Sequence, residues 1–261
     1  MTTTDAALAR ELAVDAGRLV MRLRSSYGEV SDRATAKALR DEGDRSAHDL
    51  IAARLAAERP ADAVLSEEGL DDDRRLSAGR VWIVDPLDGT WEYGLGRDDF
   101  AVHVALWERD AEPGGGLTAG AVSLPAQGLV HTSDVPTTRS LGLPSGRPVR
   151  LVVSRTRPPT DLDLLVSRLR VALGVDVEVG SVGSAGAKTA EVIEGRYDAY
   201  VHDAGLSEWD VAAPAVVAAA SGLVVRHLDG RAIPYNRMPP LVGDLVIGIP
   251  PVVDAVLAAL R

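Results

Sequence analysis

The sequence contains no cysteine, few aromatic residues and no long hydrophobic run, and each absence narrows what the protein can be. Without cysteine it has neither disulfide bonds nor thiolate metal sites, so redox chemistry gives no information about its compartment. Aromatic residues make up 4% of the 261 positions, and valine, leucine and alanine must therefore fill the core. No apolar segment reaches membrane length and the N-terminus lacks a signal-peptide pattern. We therefore expect a cytoplasmic protein without a membrane partner.

Positive charge is also scarce. The 28 Lys and Arg residues are outnumbered by 38 Asp and Glu, which gives a formal net charge of −10. This balance argues against a general nucleic-acid surface. It also means that a site for an anionic ligand would need bound metal ions or local cations. The length suits one large domain or two small ones, with enough chain to bury a core.

The segment with the most candidate metal-binding and catalytic groups is 81–90, which has the sequence VWIVDPLDGT. Its first four residues are apolar and predict a short buried strand. A proline holds Asp85 in an extended conformation, and Asp88 with the next glycine indicates a turn. Both carboxylates, with the Leu87 carbonyl, can then bind cations at one strand end, and such hard oxygen ligands suit Mg²⁺. Thr90 adds a hydroxyl that can hold a water. The same residues are also common in hairpin turns and at the start of loops. This segment alone therefore does not decide whether a metal site is present.

The chain before this segment is predicted to be mainly helical. Apolar residues recur at helical spacing over 5–25, which predicts an amphipathic helix. The polar stretch 29–44, with charges of both signs, is expected to be an exposed loop. A second helix is predicted from Asp44 to Glu58. Asp44 would be its N-cap, and a catalytic role is the alternative.

A second carboxylate lies at a predicted strand end. The short strand 63–66 leads into Glu67, which leaves its strand as Asp85 does, so neighbouring strands would bring the two acids together. After residue 90, alternation over 100–106 predicts a strand with His103 as a packed or solvated residue on its less apolar face. Further strands are expected at 119–124 and 128–132.

The Pro/Gly/Ser-rich segment 136–148 is the best boundary between two halves, 1–140 and 141–261. The first half is expected to be α+β and metal-binding, and the second α/β, completing the active site. In the second half we predict strands at 149–153, 197–201, 223–226 and 245–249, and helices at 162–173, 183–194, 211–221 and from 252 onwards.

The second half has its own acidic residue at a helix start. Within 207–214, SEWDVAAP, the proline is tolerated only in the first helical turn, so Asp210 must lie at the helix N-terminus. It is either a simple N-cap, with Trp209 as a hydrophobic staple, or a third carboxylate facing the acids of the first half. Segment 183–188 also begins a helix and ends in Lys188, but it lacks the rest of a P-loop.

Together these segments resemble the lithium-sensitive, Mg²⁺-dependent phosphatase superfamily, which includes inositol monophosphatases, fructose-bisphosphatases and bisphosphate nucleotidases. The similarity covers nearly the whole chain. It rests on three motifs, which together are more specific than any one of them alone. The resemblance implies a layered αβαβα sandwich of the sugar-phosphatase type. The motifs are Ser66-Glu67-Glu68, Asp85-Pro86-Leu87-Asp88-Gly89-Thr90 and Trp209-Asp210-Val211-Ala212-Ala213-Pro214.

Within this superfamily the chain looks most like the CysQ-type 3′(2′),5′-bisphosphate nucleotidases. Segments 89–93, 153–157, 185–188 and 208–210 carry this closer similarity. It implies hydrolysis of the 3′-phosphate of 3′-phosphoadenosine 5′-phosphate to AMP, with inositol monophosphatase or fructose-1,6-bisphosphatase activity as the alternative. A non-catalytic Mg²⁺-dependent binding protein with the same fold is a rival from another class. The chain departs from the pattern at Trp91, at Arg157 and before Asp44.

The resemblance also implies roles for single residues. Two or three Mg²⁺ ions would be bound by Glu67, Asp85, the Leu87 carbonyl, Asp88 and Asp210. Thr90, oriented by Asp44 or Glu67, would hold the attacking water. A small phosphorylated substrate is implied, rather than a nucleic-acid polymer, and a homodimer is compatible with it. The substrate would be bound by Gly89, Thr90, Arg155, Arg157, Ser184, Lys188 and Asp210; the three cations are candidates for a second phosphate or else ordinary surface residues.

Overall fold

The structure is a computed structural model that describes residues 3–28, 30–112 and 114–261. Position 29, at the start of the predicted loop, lies outside these ranges. The helices are α1 (Asp5–Tyr27), α2 (Arg33–Glu58), α3 (Thr90–Gly94), α4 (Leu162–Leu173), α5 (Ala185–Ile193), α6 (Glu208–Ala220) and α7 (Pro250–Ala259). The strands are β1 (Ala63–Ser66), β2 (Arg80–Asp88), β3 (Ala101–Glu108), β4 (Gly116–Leu124), β5 (Leu129–Thr132), β6 (Val149–Ser154), β7 (Val177–Val182), β8 (Ala199–Ser207), β9 (Val224–Arg226) and β10 (Leu241–Gly248).

These elements form five layers. One sheet has the strand order β1-β2-β3-β4-β5 and the other β7-β6-β8-β10-β9. Helices α1 and α2 cover the outer face of the first sheet, α5 and α6 lie between the two sheets, and α4 and α7 cover the second sheet. The expected αβαβα sandwich is therefore confirmed. None of the helices in the described ranges is long and apolar enough to cross a membrane.

The central strand of the first sheet is apolar on both faces because both faces are covered. In β2, Val81 and Ile83 face the middle helical layer, whereas Trp82 and Val84 pack among α1 and α2. This alternation is the two-residue period of a β-strand, expressed in a strand with no solvent-exposed side. The buried strand gives its C-terminal end, where Asp85 and Asp88 lie, a rigid support.

The predicted loop is wrong from residue 33 onwards, and so is the N-cap role of Asp44. Helix α2 begins at Arg33, where the Asp32 carboxylate accepts hydrogen bonds from the backbone N–H groups of Ala34 and Thr35. Asp44 lies in the middle of this helix and is buried. The helix forms because it packs along α1, and that tertiary contact outweighs the polar composition of its first turns.

The second half follows the predicted alternation, with one additional strand and with several element ends displaced; β10, for example, begins at Leu241 rather than at residue 245. Strand β7 was not predicted, since its side chains are largely exposed at the sheet edge. Strand β8 extends six residues beyond the predicted end at residue 201 and leads directly into α6. The boundary proposed at residue 140 falls in the irregular stretch between β5 and β6, and the division into two halves stays a prediction.

Candidate active site

Two parallel strands bring the first carboxylates together. In the β1–β2 pair Ser66 is opposite Val84, and the Glu67 N–H donates to the Val84 carbonyl at 3.2 Å. Glu67 therefore leaves the sheet beside Asp85, as expected from the two strand ends. Asp85 is buried, and its Oδ1 accepts the backbone N–H of Leu87 at 3.0 Å, which fixes the local bend of the chain.

The turn after Asp88 requires glycine. Gly89 has a φ of 85°, in the left-handed region that favours glycine. A Cβ at this position would also lie 2.9 Å from the Ser184 Cβ and 3.3 Å from the Phe100 Cα. Gly89, the N-cap of α3, therefore lies directly against Ser184, the N-cap of α5.

Helix α6 supplies the third carboxylate. Its N-cap is Ser207 rather than Asp210, which lies three residues further along and accepts the Ser207 N–H through Oδ2 at 2.6 Å. The N-cap alternative for Asp210 is therefore wrong by one helical turn. Oxygen atoms of Asp85, Asp88 and Asp210 all lie within 4.8 Å of one another. Three hard anionic ligands at this spacing fit a hard divalent cation.

The proximity of these acids raises most of their pKa values. Burial and the charges of Asp210 and Asp88 raise the pKa of Glu67 to about 7. Burial is the main cause that raises the pKa of Asp85 well above its ordinary value, and the negative charges of Glu67 and Asp88 raise it further. Asp44, whose Oδ1 is buried without a hydrogen-bond partner, has its pKa raised to about 8 by burial and by Glu67 and Glu68. Such mutual repulsion is the condition that a bound cation relieves.

Asp88 is the exception, because its other neighbours are cations and donors. Burial alone would raise its pKa, but His103, Lys188 and the backbone N–H of Gly186 together lower it. The Gly186 N–H donates to Asp88 Oδ2 at 2.8 Å, and the same oxygen lies 3.2 Å from His103 Nε2. A Cβ at Gly186 would lie 2.2 Å from His103 Nε2, so α5 approaches β3 closely here.

His103 therefore belongs beneath the site and is more than a packed strand residue. Its side chain is fully buried, and Nδ1 lies 3.1 Å from the carbonyl of Trp209, the residue before Asp210. It thus contacts both Asp88 and the start of α6. No local sequence pattern indicates this role, because the contacts of His103 with Asp88 and Trp209 are 15 and 106 residues away along the chain.

The carboxylates of Glu67, Asp85, Asp88 and Asp210 line a cavity of about 220 Å³, and we call this part of the lining the acidic end. Cations and hydroxyl groups from the second half line the same cavity, and we call this part of the lining the basic end. Lys188 is buried there, and its ammonium donates to the carbonyls of Gly183 and Ser184. The lining residues at this end are Ser154, Thr156, Arg157, Ser184, Lys188, Tyr200 and His202.

Arg155 lies outside the lining of the cavity, and its expected role in substrate binding stays a prediction. Its guanidinium forms ion pairs with Glu92, at 3.1 Å, and with Asp99, and it does not line the cavity. Asp99 also accepts the Gly183 N–H at 2.9 Å, so Arg155 helps to hold the two halves together. Trp91, by contrast, lines the cavity mouth and is 55% exposed, with the Arg40 guanidinium carbon 5.0 Å from its ring centroid.

The chain is similar to known phosphatases over its whole length. It is 46% identical to a 3′-phosphoadenosine 5′-phosphate phosphatase of Mycobacterium leprae, covering 99% of this chain and 94% of the relative. It is 30% identical to an inositol-1-monophosphatase of the same organism, covering 84% of this chain and 76% of the relative. The crystal structure of CysQ from Bacteroides thetaiotaomicron, a bacterial member of the inositol monophosphatase family, superposes with a TM-score of 0.77 at 25% identity, covering 95% of this chain and 97% of that one.

A family model gives the same result as these pairwise similarities. It is described as the inositol monophosphatase family, and it matches residues 2–261. The fold, the carboxylate cluster and the three motifs agree with that match. The chain belongs to the inositol monophosphatase family.

Proposed function

We propose that the protein hydrolyses the 3′-phosphate of 3′-phosphoadenosine 5′-phosphate to give AMP. The observation that carries this proposal is that one cavity is lined both by a cluster of carboxylates and by cations. Glu67, Asp85, Asp88 and Asp210 lie at the acidic end, and Arg157 and Lys188 lie at the basic end. A substrate with two phosphates can place one phosphate at each end, whereas a monophosphate leaves the basic end without an anion.

The similarity to named relatives favours the same substrate. The identity to the M. leprae 3′-phosphoadenosine 5′-phosphate phosphatase is 46%, against 30% for the inositol-1-monophosphatase from that organism. The rival activities, on inositol phosphate or fructose bisphosphate, remain the alternatives that a substrate comparison must test.

We infer that the acidic end binds Mg²⁺ through Glu67, Asp85, the Leu87 carbonyl, Asp88 and Asp210, as two or three ions. When bound, the ions supply charge neutralisation, an activated water and stabilisation of the leaving oxygen. The donors fit this role because they are all oxygen atoms. Burial first, and the neighbouring negative charges after it, raise the pKa values of Glu67, Asp85 and Asp210, and a bound cation would offset both effects.

The remaining residues orient the reacting groups. Thr90, at the start of α3, lines the cavity and offers its hydroxyl to hold the attacking water. A carboxylate oxygen of Asp44 or Glu67 would accept a hydrogen bond from that hydroxyl and so fix its direction. Gly89 allows the phosphate to approach the backbone, and Ser184 caps α5 by accepting the Ala187 N–H at 2.8 Å. This capped helix start faces the anionic substrate.

A substrate comparison with two variants tests the proposal. Wild type, Arg157→Ala and Lys188→Ala are assayed with Mg²⁺ on 3′-phosphoadenosine 5′-phosphate and on inositol 1-phosphate, with an EDTA control. A charge-assisted contact to phosphate contributes about 1.5–3 kcal/mol, so each variant should lose roughly one to two decades in kcat/KM on the bisphosphate alone. Arg150→Ala, which removes an exposed partner of Glu178, is the matched control and should change neither activity.

Equal losses on both substrates would mean that the two cations support the general site rather than the second phosphate. A higher kcat/KM on inositol 1-phosphate than on the bisphosphate would reject the proposed substrate. Absence of Mg²⁺-dependent hydrolysis of every phosphomonoester would favour the non-catalytic alternative.

A further inference from the structure

The basic end of the cavity contains two buried polar atoms that have no partner in the described structure. They are the Tyr200 hydroxyl and the His202 Nδ1, from side chains that are 1% and 2% exposed. Both residues line the cavity. They are two positions apart on β8, so their side chains lie on the same face of the strand. A buried polar atom without a partner costs free energy, and a ligand that supplies the partner recovers it.

The hydrogen bond at the other ring nitrogen decides the tautomer of His202. Nε2 lies 2.6 Å from the carbonyl oxygen of Ala204, which can only accept, and Nε2 must therefore carry a hydrogen. In the neutral ring Nδ1 is then an acceptor. An acceptor at this position would repel a phosphate, whereas a protonated Nδ1 would donate to it.

The groups around His202 are mainly cationic. Lys188 on α5 and Arg157 after β6 lower its pKa, and Asp203 with the Ala204 carbonyl raises it, but burial is the largest influence and the net direction is down. Tyr200 stays neutral, because burial raises its pKa well above the ordinary value. Without a ligand, the ring is therefore neutral at pH 7. A phosphate between these cations would reverse the balance by adding two negative charges beside Nδ1.

We propose that His202 takes up a proton on Nδ1 when the second phosphate of the substrate enters the basic end, and that it thereby makes bisphosphate recognition dependent on pH. This inference rests on the proposed function. The proton comes from solvent, the new Nδ1–H donates to a phosphate oxygen, and no covalent bond changes. The Tyr200 hydroxyl donates to the same phosphate without titrating.

Proton uptake gives a defined kinetic signature. The pH profile of kcat/KM reports groups of the free enzyme, so a required single proton lowers kcat/KM by about tenfold for each pH unit above the free pKa of His202. We expect this slope between pH 7 and 8 for 3′-phosphoadenosine 5′-phosphate. Inositol 1-phosphate has no second phosphate and should show no contribution from His202.

Two substitutions distinguish the effect of protonating His202 from the effect of its side-chain shape. His202→Asn places an amide near the position of Nδ1, where it donates at every pH, and His202→Gln keeps a donor to the Ala204 carbonyl but has no titrating group. With the bisphosphate as substrate, both variants should abolish the decrease of kcat/KM with pH that depends on His202. Only His202→Asn should retain affinity for the bisphosphate at pH 8. His131→Asn changes another buried histidine, outside the cavity, and should leave the slope unchanged.

A binding measurement gives a readout apart from turnover. Calorimetric titration of the metal-free enzyme with 5′-AMP, in two buffers of different ionisation enthalpy, counts the protons taken up on binding. Wild type should take up more protons at pH 7.5 than His202→Asn does. Equal uptake, or an unchanged slope in both His202 variants, overturns the inference. If the wild-type enzyme shows no preference for the bisphosphate at any pH, it is the proposed function that fails instead.

Discussion

At the scale of single residues, Asp88 connects the two halves of the site. One of its carboxylate oxygens accepts the Gly186 N–H and faces His103, which in turn contacts the Trp209 carbonyl. The orientation of a metal ligand is thus set by α5 and α6, which come from the other half of the chain. Supporting contacts of this kind fix the direction of the ligand oxygens.

Asp88→Asn should therefore remove activity while leaving the fold intact. Asparagine keeps the size of the side chain but removes the negative charge that the cations need, and we expect kcat/KM to fall by roughly 100-fold or more. The measurement is kcat/KM as a function of Mg²⁺ concentration, with thermal unfolding as the check on folding. Asp229→Asn, which alters an exposed carboxylate paired with Arg231, is the matched control. Turnover close to wild type at the same Mg²⁺ concentrations would remove Asp88 from the proposed metal site.

Sequence and structure agree best for residues whose role depends on near neighbours. The strand before Asp85, the turn at Gly89 and the position of Asp210 in the first turn of its helix each follow from a few adjacent residues. Arg155 could not be placed in this way, since its partners Glu92 and Asp99 are 63 and 56 residues away. The same holds for His202 and Tyr200, because alternation along β8 does not show which face meets the cavity.

At the scale of elements, the start of α6 is held by a buried polar network. The Glu208 carboxylate accepts the backbone N–H groups of Asn236, at 2.7 Å, and Arg237, at 2.6 Å. Arg75, from the short 3₁₀ turn Asp73–Ser77, donates to the Asn236 side chain at 2.7 Å and to the Arg237 carbonyl at 2.8 Å. The network therefore joins the first half, the segment before β10 and the helix that carries Asp210.

Glu208→Gln should weaken metal binding although Glu208 is not a metal ligand. The amide group would face backbone N–H donors with its own N–H₂, which leaves at least one buried donor unpaired and costs about 1–3 kcal/mol of stability. Displacement of Asp210 should raise the Mg²⁺ concentration for half-maximal activity by about tenfold. Titration of activity with Mg²⁺ measures this, and Glu178→Gln, which changes an exposed carboxylate on β7, is the control. A less stable variant with unchanged Mg²⁺ dependence would limit Glu208 to a structural role.

The sequence predicts helices and strands well where apolar residues recur periodically. It predicts them poorly where an element lacks that pattern and forms because it packs against its neighbours. Helix α1 and helix α4 follow from their apolar spacing. The first turns of α2 have charges of both signs, and only Asp32, as an N-cap, marks the true start. Strand β7 pairs with β6 at a sheet edge, so it lacks the apolar pattern of a covered strand.

At the scale of the whole molecule, the site is a concentration of negative charge in a protein that is already acidic. The net charge is −10, and Asp44, Glu67, Asp85 and Asp210 all have raised pKa values because of burial and mutual repulsion. Folding brings these carboxyls together, so the metal-free protein is destabilised wherever they ionise. The layered fold tolerates this because the acids lie at the ends of rigid elements. Bound cations then offset the repulsion.

The metal-free protein should accordingly lose stability as the pH rises from 6 to 8. A carboxyl group whose pKa is raised in the folded state binds more protons in the folded protein than in the unfolded protein. Its contribution to the free energy of unfolding is therefore complete below about pH 4, and it is lost as the pH rises through the folded-state pKa. For Asp44, with a pKa of about 8, the loss across this window is about 2 kcal/mol, or roughly 4–8 °C in Tm.

Millimolar Mg²⁺ should raise Tm more at pH 8 than at pH 6, because cations bind the ionised carboxylates. Thermal unfolding in EDTA and in Mg²⁺ at both pH values measures the effect. Asp44→Asn cannot ionise, so it should flatten the metal-free profile and unfold at a higher temperature than wild type at pH 8. A metal-free Tm that rises from pH 6 to pH 8 would show that the acids at this end of the cavity are ionised and accommodated without a cation.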